Sequence, residues 1–498
     1  MRASLTHLRI GLLSLLALAA TLIPGLVQHA QAQIPQTEYE ARRNSLAVAM
    51  GEGVLVALGA VYAVDYDFEL SQLPAFDYLT GIREPDAGMV LVHEAGDVTY
   101  TLFRAQPTVR EQLYDGFREA PEALARRTGA TVRPLADLVD YVDSLAARGL
   151  PFYELRDIRS GDAMARDTVT RGSEFIEGLR TRHPGLQVVD LHSTVAKLRA
   201  RKSQAEVALL RRAVAITDTA HLAALAAIAP GMWEYEIEAA IEHTFQVRGA
   251  RPAYSSIVGS GLNSTVLHYV ANDRRMGAGD LVLMDIGAEV DGYDADITRT
   301  VPVSGTFSAD QRAVYDIVLA SLKEAEAAVR PGAPAERSLM ASMNVRLEGL
   351  ARLGLIESPD ATYDPPWPVD CEVRPDQCLQ GMLFMIHGIS HGIGLEVHDP
   401  MSFYFDGRFS PGDVLTIEPG IYVNANVFDL LPDTPKNRAF IAAVAGAVER
   451  YHAIGIRIED NYLVTESGVE RLSTAPREAD LVEAAMAGGE IAEAGGHR

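Results

Sequence analysis

The sequence predicts a two-domain protein: a smaller α/β domain, then a larger α+β domain made of two related halves. Three observations predict it. Short apolar strand-like runs alternate with helical and turn-rich stretches early in the chain. A helix, a Pro-Gly break and a second helix then occur in that order twice. Each copy leads into an apolar strand that carries a carboxylate at the same late position.

The elements follow in chain order. In residues 1–32, Arg2 and Arg9 precede an almost wholly apolar run from Ile10 to Leu26, and Ala30-Gln31-Ala32 supplies small residues for cleavage. This reads as a secretory signal cut near Ala32, so the expected location is periplasmic or secreted. A stable membrane anchor is disfavoured because Pro24-Gly25 interrupts the apolar run and no long span follows. Residues 33–199 form the α/β domain, with strands expected at Gly53–Gly59, Gly88–Val92 and Val98–Phe103. Its histidines, His93, His183 and His192, stand singly, so its expected role is structure, oligomerisation or substrate gating. The balance of 67 Asp+Glu against 44 Lys+Arg, a net charge of -23, argues against nucleic acid as a partner.

The second domain spans 200–487, with 488–498 a Gly/Ala-rich tail. Ser203-Gln204-Ala205-Glu206 has capping-box spacing and opens a helix that Pro230-Gly231 ends. Trp233 to Arg248 reads as its partner, closed by Gly249. The layout returns with Ser308-Ala309-Asp310-Gln311, Pro331-Gly332 and a helix from Ala335 to Arg352. The strands Gly279–Gly287 and Gly412–Gly420 then align without gaps, with Asp285 opposite Glu418. Such a repeat would bring both acids to a shared pseudo-twofold centre.

Asp291-Gly292 is a favoured two-residue hairpin turn. A hairpin about it pairs Asp285 with Thr298 and Gly287 with Asp296, so both aspartates share one face about 7 to 8 Å apart at the backbone. Two carboxylates converging in a buried strand repel unless a cation lies between them. His391, Glu418 and Glu459 occur in comparable settings and complete a candidate ligand set. Four carboxylates and one imidazole suit Mn²⁺ or a similarly hard ion. The spacing of His387 and His391 resembles a zincin helix, but the HExxH glutamate is missing and Gly388, Gly392 and Gly394 oppose a helix.

The motifs FDYLTGIREPDA from Phe76, YSSIVGSGLNSTVLHY from Tyr254, LVLMDIG from Leu281, DADITRT from Asp294, HGISHGIGLEVHD from His387, LTIEPGIYV from Leu415 and IGIRIEDNYLVT from Ile454 carry a resemblance. From about Tyr39 to Met486 the chain resembles the pita-bread (creatinase/aminopeptidase-like) metallopeptidases, within them the Xaa-Pro aminopeptidases and prolidases. The resemblance implies two divalent ions, Mn²⁺ with Co²⁺ or Zn²⁺ as alternatives, held by Asp285, Asp296, His391, Glu418 and Glu459, with Asp296 and Glu459 bridging. It makes His268, His387 and His398 the outer histidines that hold substrate and assist proton transfer. A shared water acidified between two ions would supply hydroxide, Glu418 would move the proton, and His387 or His398 would steady the oxyanion. The implied substrates are peptides with proline second, and the implied assembly is a homo-oligomer, dimer or tetramer. A prolidase restricted to dipeptides is the nearest rival. A creatinase-like hydrolase lacks the five ligands, and a non-catalytic peptide-binding protein of this fold is the reading from another class.

The chain departs from the family pattern at Phe68–Gln72, where an arginine-containing stretch is expected, and is longer between Val423 and Gly455, with a rigid Asp364–Pro368 loop nearby. Export favours a disulfide between Cys371 and Cys378 over two buried thiols.

Overall fold

The computed structural model describes residues 33–61, 70–158 and 170–488. The signal segment read at 1–32, residues 68 and 69 of the first departure, and all but the first residue of the tail lie outside them. Among the described residues no helix is long and apolar enough to cross a membrane.

The N-terminal domain is built on a six-stranded sheet: β1 (Gly53–Leu58), β2 (Ala87–Glu94), β3 (Asp97–Arg104), β4 (Thr131–Pro134), β5 (Phe152–Glu154) and β6 (Val188–Asp190), in the order β4-β3-β2-β1-β5-β6. All six residues of β1 are buried. Leu55, Met89 and Leu91 face one core, while Val54, Val56, Val90 and Val92 face another with Val142 and Ile176. A sheet covered on both faces needs a continuous apolar run, which is why GVLVAL does not alternate.

The second domain repeats its helix pair: Gln204–Ala227 with Glu234–Val247, then Ala309–Ala328 with Ala335–Leu353. Ser203 and Ser308 each close a capping box, with Glu206 and Gln311. The first half continues through β7 (Arg251–Pro252), β8 (Ile257–Ser260), β9 (Leu281–Ile286), β10 (Ala288–Val290), β11 (Tyr293–Asp294) and β12 (Ile297–Pro302). The second supplies β13 (Val414–Ile417), β14 (Gly420–Val423), β15 (Ile454–Arg457), β16 (Asp460–Val464) and β17 (Val469–Arg471).

Each half contains one long antiparallel ribbon whose ladder breaks at the acids. In the first, β9 pairs with β12, Asp285 opposite Thr298, and the same register resumes as β10 against β11. Asp291 and Gly292 both take positive φ in the turn, as a two-residue hairpin requires. The expected pairing of Gly287 with Asp296 does not form. Asp296 instead exchanges backbone hydrogen bonds with the Asn461 side chain: its N–H donates to Oδ1 (3.1 Å) and its carbonyl accepts from Nδ2 (2.5 Å). Asn461 lies on β16, so this amide links the halves. In the second ribbon, β13 pairs with β16 and β14 with β15 in one register, interrupted at Glu418-Pro419 and Ile458-Glu459. Proline has no N–H to give the ladder.

Ion pairs dock the domains. Arg42 meets Glu206 at 3.2 Å, and Arg199 meets Glu396 at 2.7 Å and also pairs with Asp399. Arg83 donates to the Asp291 carbonyl at the hairpin tip. Gln72, the end of the first departure, is buried and accepts from the Ala60 and Leu73 N–H groups, a structural role. The two other departures pack on each other. The Asp364 N–H donates to Asn437, Thr434 donates to Asp364, and Phe440 lies between Tyr363 and Phe428. Cys371 and Cys378 are joined by a disulfide, with Cα atoms 5.8 Å apart.

Candidate metal centre

The broken ladders leave four carboxylates where the two ribbons meet. Asp285 is on β9, Asp296 just precedes β12, Glu418 just follows β13, and Glu459 just precedes β16. A loop strand brings in the imidazole: the Ile393 N–H donates to Val414, while the carbonyls of His391 and Ile389 accept from Thr416 and Glu418. His391 is thereby held beside β13. No helix forms there, as the glycines at 388, 392 and 394 predict.

Asp296, His391 and Glu459 present ligand atoms within 4.8 Å of one another. Glu418 joins them through Oε1, 3.3 Å from His391 Nε2, and Asp296 Oδ2 lies 3.5 Å from the same nitrogen. Asp285 joins through Tyr254, whose hydroxyl lies 2.6 Å from both Asp285 Oδ1 and Asp296 Oδ1. All five residues therefore converge. His391 Nδ1 faces the Gly392 carbonyl at 3.1 Å, so it carries the proton and Nε2 turns a lone pair toward two carboxylates. Burial, with His398 nearby, lowers the pKa of His391 to about 4, so that lone pair stays unprotonated.

Three of the four acids are held above the usual carboxylate range. Burial, then Glu459 and Asp285, push the Asp296 carboxyl well above the usual range. Burial, then Glu418 and Asp285, do the same to Glu459. Burial lifts Glu418 to about 8 against the opposing fields of Arg457 and Arg346. Glu459 Oε2 accepts from Thr298 at 2.7 Å, but its Oε1 is buried without a hydrogen-bond partner. A buried acceptor left unmade costs about 1 to 3 kcal/mol or more. A cation among Asp296, His391 and Glu459 would meet that oxygen and the His391 lone pair together, so the residues fit a metal.

Sequence reasoning missed several supports. Tyr254 is one; Tyr422 is another, 2.7 Å from His387 Nε2 and 2.9 Å from Arg457 Nη1. Both occur in the quoted motifs, which were the only signal. Arg457, two residues before Glu459, does not pair with it directly. It donates instead to Asp285, and its Nε donates to Thr298 at 3.0 Å, whose hydroxyl donates in turn to Glu459. His387 Nδ1 lies 3.5 Å from Glu418 Oε2. His398 stands edge-on to His391 with ring centroids 4.4 Å apart. His268 and His398 are exposed and close enough that charge on His268 disfavours charge on His398.

Comparisons with known proteins agree with this geometry. Residues 208–466 match the profile of Metallopeptidase family M24, and residues 39–150 that of the Aminopeptidase P, N-terminal domain. The chain is 33% identical over 473 residues to the Xaa-Pro aminopeptidase of Escherichia coli, covering 91% of this chain and 98% of that protein. It is 35% identical over 480 residues to the Xaa-Pro dipeptidase of Homo sapiens, covering 90% and 91%. The solved structure of proline aminopeptidase P II from Yersinia pestis superposes with a TM-score of 0.76 at 32% identity, covering 91% of this chain and all of that one.

Proposed function

The chain belongs to metallopeptidase family M24 and has its pita-bread domain; from that premise we propose that it is an exported dinuclear-metal Xaa-Pro aminopeptidase, releasing the first residue of peptides whose second residue is proline. The observation that carries the reading is the convergence of four carboxylates, Asp296 and Glu459 among them buried, around the unprotonated Nε2 of His391, with one Glu459 oxygen left without a partner. Asp285, Asp296, His391, Glu418 and Glu459 would hold two divalent ions, Mn²⁺ first by donor hardness and Co²⁺ or Zn²⁺ as alternatives, which when bound would acidify a water and polarise the scissile carbonyl.

The chain's own residues do the rest. Glu418, whose Oε2 lies 3.5 Å from His387 Nδ1, accepts a proton during attack and returns it to the leaving nitrogen. His387 is kept neutral, its pKa lowered to about 3 by burial and by Arg457. Its contact with the Tyr422 hydroxyl fixes the ring beside Glu418. His268 and His398, on the exposed side, hold the peptide backbone, and His387 or His398 steadies the oxyanion. A proline amide has no N–H and a fixed φ, so a shaped site can select it.

A dipeptidase must also bind the carboxylate adjacent to the scissile bond with a free cation. Arg457 is 4% exposed and already donates to Asp285, Thr298 and Tyr422, which supports the aminopeptidase reading. The reading includes a homo-oligomeric assembly. The test is hydrolysis of Ala-Pro, Ala-Pro-Ala and Ala-Ala-Ala by metal-loaded protein. Release of alanine from Ala-Pro-Ala is expected. Cleavage of the dipeptide alone would make the enzyme a prolidase, and equal cleavage of Ala-Ala-Ala would remove the proline specificity.

A further inference from the structure

A cleft of about 540 Å³ opens between the two domains, and His398 forms part of its wall. The same imidazole stands edge-on to His391, so an occupant of the cleft lies one side chain away from the metal-ligand set. The N-terminal domain contributes Leu155, Val195 and Ala196 to the lining, and the second domain contributes Pro400, Tyr404 and Phe405. Two charged groups in the same wall are already engaged. Asp157 accepts from the N–H groups of Ala75 and Phe76 at 3.1 and 2.8 Å. Arg199 donates to Glu396 and Asp399. The surface left to meet an occupant is therefore mainly apolar, and its volume is that of a small-ligand site.

We propose that this interdomain cleft is a side-chain subsite of the peptidase, taking a large apolar residue of the substrate, with the N-terminal domain as one wall. The proposal rests on the peptidase reading above and gives the first domain a part in substrate selection. An apolar side chain entering such a space is driven by removal of its surface from water. Two substrate positions flank the proline, the first residue and the one after it. Both would present the same apolar chemistry to the cleft, and peptides can separate them.

Metal-loaded protein would be assayed with Phe-Pro-Ala, Ala-Pro-Phe and Ala-Pro-Ala. One of the two phenylalanine peptides is expected to show a kcat/KM about tenfold above Ala-Pro-Ala, and which one identifies the position. Ala196→Phe fills the cleft from the N-terminal domain and should bring that ratio to about one. Phe405→Ala removes a ring that is 40% exposed and should reduce the ratio about threefold, reporting on the same wall should Ala196→Phe fail to fold. Equal rates for all three peptides, or a preference that survives in both variants, would overturn the subsite while leaving the peptidase intact. No cleavage of any of them would overturn the peptidase reading, and the subsite with it.

Discussion

Arg457 acts on the centre from an almost wholly buried position. Its three nitrogens are committed to three partners: Asp285, Thr298 and Tyr422. Thr298 in turn donates to Glu459, and Tyr422 touches His387, so one guanidinium orients groups on both sides of the site. Lysine keeps the charge but loses the fork. Arg457→Lys should therefore fold yet hold metal about 10- to 100-fold more weakly, measured by competition with a chelator. Retention equal to wild type would refute the orienting role. Asp157 offers a separate test away from the ligands. Burial raises its pKa to about 6, against the two backbone N–H groups it accepts from. A carboxyl raised in the folded state contributes stability that is present below the usual carboxylate pKa and is lost as pH rises through about 6. Asp157→Asn should thus gain thermal stability relative to wild type between pH 4 and pH 7, and a Tm difference that does not change with pH would contradict this. The sequence exposed Asp285 and Glu418 because they repeat at matching strand positions, and Asp296 because the Asp291-Gly292 turn fixes its register; His391 and Glu459 were legible through the motifs that carry the resemblance. Tyr254, Thr298 and Tyr422 act through hydroxyls whose partners come from other strands, and a single strand's pattern does not contain those partners.

At the scale of elements, both ribbons keep their register and give up ladder bonds where the acids sit. The register was legible because Asp291-Gly292 fixes the turn and a period of two does the rest. The break at Gly287 was not legible, since it depends on Asn461 arriving from the other half. A Cβ at Gly287 would fall 1.9 Å from the Ala295 carbonyl and 2.8 Å from the Tyr254 ring. Gly287→Ala should therefore destabilise the protein by about 2 kcal/mol or more in denaturant unfolding, and displace Tyr254. An unfolding midpoint equal to wild type would show that the ribbon relaxes freely. Strands β4, β5 and β6 escaped the sequence reading because each is only three or four residues long, too short to show a period. The disulfide closes a loop with a sequence separation of 7, shortly before the turn that leads to His387. In the chain-entropy account, replacing both cysteines by serine costs about 2 to 3 kcal/mol at most. Unfolding of the double variant against wild type measures it, and a loss well above that range would point to packing around buried Cys378.

At the scale of the whole molecule, the duplicated halves and the N-terminal domain serve one centre. The pseudo-twofold repeat was readable from two gapless strands and two capping boxes, because those signals are local. The docking of the first domain was not, because it runs through pairs such as Arg42–Glu206 and Arg199–Glu396 that join residues far apart in sequence. The central claim is that the site at the meeting of the halves exists to hold two divalent ions. Elemental analysis of folded, purified protein and of Asp296→Ala tests it most directly. The account predicts two equivalents of a divalent metal per chain in the wild type, with peptidase activity lost on chelation and restored by Mn²⁺ or Co²⁺, and little metal in the variant. Full activity in a chain that carries no stoichiometric metal would contradict it.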